Sequence, residues 1–470
     1  MIRTLKSFTK EDEKEFIKFL RSPYYNTDKE FLNIFNEYLS GEFKNDSDIL
    51  AKLGKDKSEK FNLLIEKFIL LKEFEKDKNS QSMYILSGLQ SRDVPKRYKY
   101  LITKFRKQFE NTYKRDDNYY NNKVTIENEY YKFSLDETKF DYPYLLDEIS
   151  ENIEMNFYFQ YLHNVNNKLV HSFFTGKNYK YDLKYLDKIE SEIKKSEKIV
   201  KDKHPNVYII YLAVKIVQKL SVREDTNSTI EELKNYLEKN IYKFDLAQLY
   251  FYYGYVINAY QLIVINTNDS DTKYKLMEIF KFAEEKGFSY INNILPVDLF
   301  TNIVAISLAT DNVEWLERFI EKHLKVINSS INENDLKLFY AKIAFAKRNY
   351  EETLSILAKI RTNQHIKFFS VKFLYIKSYY ELNNHESIRF ELENLRKFGE
   401  RNKNLADRHR KYIDTFRHFI KELIGLKELK EYREENINIE LEILGKEINS
   451  HPNVVPDKKW LLQKIKDLKT

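Results

Sequence analysis

Glycine and proline number nine and seven in 470 residues, and this scarcity constrains the fold more than any other feature. The two residues punctuate chains by marking tight turns, strand ends and loops. Average usage is roughly 7% and 5%. A sandwich, a barrel or a doubly wound sheet needs many such turns, so the shortage argues against all three. Long helices joined by short polar connections remain, and the fold class expected is all-α. At 470 residues the chain is too long for one compact core, which implies several modules or one extended repeat array. Hydrophobic residues at 42% and aromatics at 15% supply ample surface to bury, which argues against disorder over most of the length.

The apolar spacing supports this reading. Thr9-Lys10-Glu11-Asp12 has the form of a helix start, with a hydroxyl cap and an acid three residues on. Phe16, Phe19 and Leu20 form the stripe that follows, and Ser22-Pro23 ends it. Further stripes run through Phe31, Phe35 and Leu39, then Phe61, Ile65 and Phe68, then Tyr98, Leu101, Ile102, Phe105 and Phe109. These give a helical N-terminal module over 1–115. The polar run 111–123 is the expected boundary, or else it begins the next helix, since Tyr119, Tyr120, Ile126, Tyr130 and Tyr131 are nearly periodic, and Asp141-Tyr142-Pro143 is a clearer break.

From residue 144 the pattern becomes an alternation of apolar-rich and amphipathic helices. The expected pairs are 144–172 with 182–200, 206–221 with 229–240, and 245–265 with 272–286. Three more follow: 297–309 with 312–326, 333–347 with 350–360, and 365–381 with 385–398. Ser228 to Glu231 and Asp311 to Glu314 are candidate capping boxes. Leu233, Met277, Leu316, Thr353 and Ile388 fall midway along the second helices, 35 to 44 residues apart. A two-helix unit with this period must stack on its neighbours to bury its apolar face.

On these residues the chain resembles the tetratricopeptide (TPR) family. Tyr340-Ala341, Ala344, Thr353 and Leu357 stand at that family's pattern positions, and Tyr350 opens the second helix. Tyr375-Ile376, Tyr379, Ile388 and Leu392 repeat the pattern, with Tyr379 a direct match, and Tyr253-Gly254 with Ile257 form an earlier instance. Lys337 and Lys372 replace the family's leading Trp, and no repeat ends in its Pro. The resemblance, which covers about 230–400, implies a right-handed α-solenoid of stacked hairpins over 116–400. Residues 401–470 are expected to cap it, with Leu461, Ile465 and Leu468 as the stripe of the last helix. The run from Ser7 to Asn26 and the segment Trp460 to Ile465 also look similar to helical proteins of Bacteroidota-type bacteria, a likeness that implies no activity.

Several function classes find no support in the residues. Cysteine is absent, so disulfides, thiolate metal sites and cysteine nucleophiles are excluded. The N-terminus has no apolar core of a signal peptide, which makes the cytoplasm the expected location. Leu246 to Asn268 carries no charge and is long enough to cross a bilayer. Its amides Gln248, Asn258, Gln261 and Asn266 and its spread tyrosines suit a buried helix better, so no membrane span is expected. The nine histidines are scattered, and His163 and His171 lie ~12 Å apart along a helix, too far to share a metal. Thr175-Gly176-Lys177 resembles the end of a phosphate loop but follows a helical run rather than a strand. No catalytic residue, cofactor or metal ligand is assigned.

Two basic clusters stand out. The first is Lys96, Arg97, Lys99, Lys104, Arg106 and Lys107, with no acid between Val94 and Phe109. The second is Arg396, Lys397, Arg401, Lys403, Arg408, Arg410, Lys411 and Arg417, among only Glu400, Asp407 and Asp414. They carry +6 and +5 in a chain of net charge +7, so the remainder is about −4. Lysine abundance alone says little, because AT-rich codon choice also produces it. The sequence therefore leads to a scaffold that binds a protein or peptide partner. Nucleic-acid binding through the two clusters and an enzyme site assembled between repeats are the alternatives.

Overall fold

The computed structural model describes all residues except 111–118, 137–142, 176–180, 268, 362–364, 403–404, 406, 434–436 and 470. Among the described residues there are 24 α-helices and no strand, so the chain is all-α. The one β-type pairing among them is an isolated bridge between Ile291 and Ile294. Contacts divide the chain into two compact units, Met1–Leu233 with Asn240–Phe244, and Lys234–Lys239 with Asp245–Thr470.

The first unit holds α1 (Ile2–Leu5), α2 (Lys10–Arg21), α3 (Glu30–Leu39), α4 (Asp46–Leu53), α5 (Lys55–Lys76) and α6 (Lys78–Gln90). It continues with α7 (Pro95–Glu110), α8 (Tyr119–Asp136), α9 (Pro143–Thr175), α10 (Leu186–Lys195), α11 (Glu197–Lys203) and α12 (Pro205–Ser221). The start of α13 (Asn227–Lys239) belongs to it as well. At the head of α2 the Thr9 hydroxyl accepts from the Asp12 amide at 3.1 Å, while the Asp12 carboxylate accepts from the Thr9 amide at 3.0 Å. This is the capping box the sequence predicts, and it satisfies two amides that the first turn leaves open. Phe16, Phe35 and Phe61 are fully buried in the cluster that α2, α3 and α5 form.

The middle of this unit is held by buried polar contacts. Tyr120 of α8 donates to Asn206 Oδ1 of α12 at 2.9 Å and meets His204 Nδ1 at 3.1 Å. His204 Nε2 in turn lies 3.0 Å from Glu151 of α9. Helix α9 packs on both α8 and α12.

The second unit holds α14 (Leu246–Thr267), α15 (Ser270–Lys286), α16 (Val297–Ala309), α17 (Val313–Ser330), α18 (Glu333–Ala346) and α19 (Tyr350–Leu357). Then come α20 (His365–Glu381), α21 (His385–Arg401), α22 (Asp407–Arg433), α23 (Asn438–Ser450) and α24 (Lys458–Lys469). Each helix packs on the next, and α16 on α18, α18 on α20 and α22 on α24 add contacts one step further. The five residues spaced at the repeat period, Leu233, Met277, Leu316, Thr353 and Ile388, are all buried. Helix α14 buries Tyr253, Val256, Tyr260 and Leu262 against protein. No helix among the described residues is long and apolar enough to cross a membrane.

Some expectations change. The helix expected over 182–200 is two helices, because Ser196 leaves helical geometry (φ −110°, ψ 24°) and its hydroxyl donates to the Glu192 carbonyl at 2.8 Å. Helix α13 begins at Asn227, so Ser228 lies inside its first turn instead of capping it. Asp311 takes a left-handed φ of 56°, and Asn312, the residue before α17, makes no side-chain cap. Helices α1, α4, α6 and α23 have no counterpart in the sequence reading. Residues 119–123 of the polar run open α8 instead of forming a boundary, while 111–118, Asp141-Tyr142 and Gly176-Lys177 lie outside the described residues.

Candidate polyanion-binding groove

Helix α7 carries three kinds of position in sixteen residues. Tyr98, Leu101, Ile102, Phe105 and Phe109 are buried, as their spacing predicts. Arg106 points to a different neighbour. Its Nε donates to Glu127 of α8 at 2.7 Å, its Nη2 lies 3.4 Å from Glu148 of α9, and its guanidinium covers the Tyr130 ring. Lys123 joins the same group, 2.7 Å from Glu127 and 3.0 Å from Glu148. Glu127 is fully buried and Lys123 nearly so. These carboxylates outweigh the cost of burying the Lys123 ammonium and raise its pKa. Two cations and two carboxylates thus neutralise one another and fix the roll of α7 against α8 and α9.

With α7 held that way, its third face is turned outward. Lys96, Lys99, Tyr100, Thr103, Lys104 and Lys107 recur at three- and four-residue steps, which places them on one side of a helix. They line an open groove of about 1040 Å³, and Lys78 and Ser82 of the neighbouring helix α6 also line it. Five lysines and no acid are among the described lining residues. The Thr103 and Ser82 hydroxyls donate to carbonyls of their own helices, at 3.0 and 2.8 Å. The lysine ammonium groups give the groove its single sign of charge. Arg97 lies beside it with its guanidinium 5.1 Å from the centre of the Tyr100 ring.

The second cluster has a different fate. Arg396 forks onto Glu393 at 2.6 and 2.8 Å and also pairs with Glu400 on the other side. Lys397 lies 3.8 Å from Glu393. Arg410 donates to three carbonyls, Gly399 at 2.9 Å, Asn402 at 2.8 Å and Leu405 at 3.2 Å. It thereby caps the end of α21, where carbonyls are left without amide partners. Arg417 donates to the Leu392 carbonyl at 3.1 Å and pairs with Asp414 at 3.2 Å. Arg401 and Lys411 are exposed, Lys403 lies outside the described residues, and nothing is described of the Arg408 side chain. Among the described residues, Arg396, Arg410 and Arg417 of this cluster are held by carboxylates or carbonyls of their own neighbourhood.

Two smaller concavities in the second unit carry their own compensating charge. One of about 760 Å³ lies along Val264, Val454 and Trp460, and its acid, Asp457, pairs with Lys377 at 2.7 Å. The other, of about 250 Å³, mixes Glu238, Glu278 and Glu285 with Lys234 and Lys281. Neither shows the single sign of the α6–α7 groove.

Sequence reasoning missed Lys78 and Ser82, which lie on another helix and join the groove only through packing. It also overlooked Tyr100, Thr103 and Gln108, although their spacing to Lys96, Lys104 and Lys107 was there to be read. No protein-family model, curated protein or solved structure matches the chain.

Proposed function

We propose that this chain is a non-catalytic helical-repeat protein whose first unit holds the phosphate backbone of a nucleic acid in the α6–α7 groove. The observation that carries the reading is a concave face lined by Lys78, Lys96, Lys99, Lys104 and Lys107 with no acid among its described residues. Lysines spaced along one helix face suit a repeating anion better than a single one, because each turn presents another ammonium to the next phosphate. A concave shape favours a chain-like polymer over a flat anionic surface. Nucleic acid is met in the cytoplasm, the location that the sequence leads one to expect.

Successive hairpins in the second unit pack each on the next, and the buried repeat positions Met277, Leu316, Thr353 and Ile388 recur within them. This supports stacking as a right-handed, TPR-like solenoid. Such an array serves as a scaffold, and an acidic protein partner is the competing occupant of the groove.

The test is binding of a mixed-sequence labelled nucleic acid across a salt series, with polyglutamate and polyphosphate as competitors. Nucleic-acid binding that weakens with salt, and weakens further in a Lys96→Ala, Lys104→Ala, Lys107→Ala triple variant, supports the reading. Absence of binding at low salt, or binding that the triple variant leaves unchanged, overturns it. Preferential binding of polyglutamate moves the groove to an acidic protein.

A further inference from the structure

Two tyrosines stand two residues apart on α7 and are used differently. Tyr98 is buried, and its hydroxyl donates to Glu129 of α8 at 2.9 Å. Its ring and its hydroxyl both have protein partners, so packing explains it. Tyr100 is 56% exposed and lies on the groove face one turn from Lys96 and one turn from Lys104. Its described contact is the Arg97 guanidinium over the ring. Arg97 lies over the ring, and more than half of the residue is open to solvent, where a flat partner can reach it.

Resting on the proposed function, we infer that the groove takes single-stranded nucleic acid, with a base stacked on Tyr100. The phosphates follow the lysines on either side. A duplex keeps its base faces inside its own stack and offers an aromatic ring nothing to pair with. A single strand exposes base faces, and proteins that hold it combine a basic track with aromatic platforms. Both components are present here on one helix face. The stripe from Lys96 to Lys107 runs roughly 17 Å along α7. That length accommodates about five phosphates at the ~3.4 Å spacing of a stacked strand, and fewer if the strand is extended. Contact is therefore with a short stretch of strand. Because every base has a flat face, sequence preference is weak.

The test compares full-length protein binding a labelled 20-nucleotide single strand, as DNA and as RNA, with the matched duplexes at the same salt. Four proteins are used: the natural chain, Tyr100→Ala, Tyr100→Phe and the triple lysine variant. Tyr100 is exposed, so its variants are expected to fold, which a thermal melt checks. The natural chain is expected to prefer single strands roughly ten-fold or more. Tyr100→Ala loses that preference with its salt slope unchanged, and Tyr100→Phe keeps it. A Tyr100→Trp variant adds a direct signal, since its fluorescence is quenched by a single strand and not by inorganic polyphosphate. Equal binding of single strand and duplex, indifferent to Tyr100, overturns the stacking inference and leaves the phosphate-binding reading in place. No binding of either form at low salt overturns both.

Discussion

The two basic segments look alike in sequence and differ in what the fold does with them. Over 96–107 six cations occur without an acid, and over 396–417 eight occur among three. In the first, one arginine is drawn into a buried ionic group and four lysines remain together on a groove. In the second, Arg396, Arg410 and Arg417 are bound to carboxylates or carbonyls of their own neighbourhood. The difference lies in position on the helix. A cation one turn from an acid pairs with it, and a cation beside a helix end finds bare carbonyls. The groove lysines instead share their face with one another and with no acid among its described lining residues.

The contrast breaks most sharply at Glu127. It is fully buried and holds both Arg106 and Lys123. Glu127→Ala leaves two cations facing a site with one carboxylate fewer, and removing one partner of a buried pair costs about 3–5 kcal/mol. Urea unfolding should show a loss of that order, whereas Lys104→Ala, on the exposed groove face of the same helix, should change stability by under ~0.5 kcal/mol. Equal losses from the two would mean that α7 is not divided into a holding face and a binding face.

Arg410 gives the next largest effect. Arg410→Ala removes a guanidinium that serves three carbonyls around the end of α21. Hydrogen bonds to charged groups contribute about 1.5–3 kcal/mol, so the loss should fall in that range. Arg410→Lys should recover little, since a single ammonium cannot reproduce the planar fork. Nucleic-acid affinity should be unaffected in both variants. If affinity falls with stability intact, the second cluster is a binding surface after all.

Single lysines of the groove come third. Lys104→Ala should reduce the slope of log affinity against log salt by about 0.7, the value for one phosphate contact on a single strand. Lys411→Ala, exposed in the second cluster, should leave the slope unchanged. Fluorescence anisotropy between 50 and 200 mM salt, on the order of the range where such slopes are read, separates the two outcomes.

The all-α fold was legible because scarce glycine and proline, together with apolar stripes, leave a chain few other choices. Most helices in the second unit fall within a few residues of their expected limits. The Thr9–Asp12 cap was readable because its partners are three residues apart. Ser196 was not, because its break comes from a side chain that competes with the backbone inside an otherwise helical run. Half of the charge contrast was also on the page: Glu393, Arg396 and Glu400 sit one turn apart, and so do Asp414 and Arg417. The other half was not. Glu127 lies 21 residues from Arg106, and Lys78 reaches the groove from another helix. Pairings of that kind exist only after packing.

The smallest effect concerns the Glu393–Arg396 pair, which shows what a sequence-legible contact amounts to. The Arg396 guanidinium beside Glu393 holds its carboxyl at about 2, below its usual 4.5. A carboxyl whose pKa falls on folding adds stability that is fully present above 4.5 and is lost as pH drops toward 2. The pair is exposed to solvent, so water and salt screen it and the stability change should be slight. A carbon-detected pH titration should place the Glu393 carboxyl well below the other exposed glutamates, and Arg396→Ala should return it toward 4.5. Adding 1 M salt should move it the same way, because screening at such strengths acts within about 3 Å. A Glu393 that titrates normally in the natural chain would show Arg396 to be unpaired in solution. That result would make Arg396 a free cation and narrow the difference between the two segments.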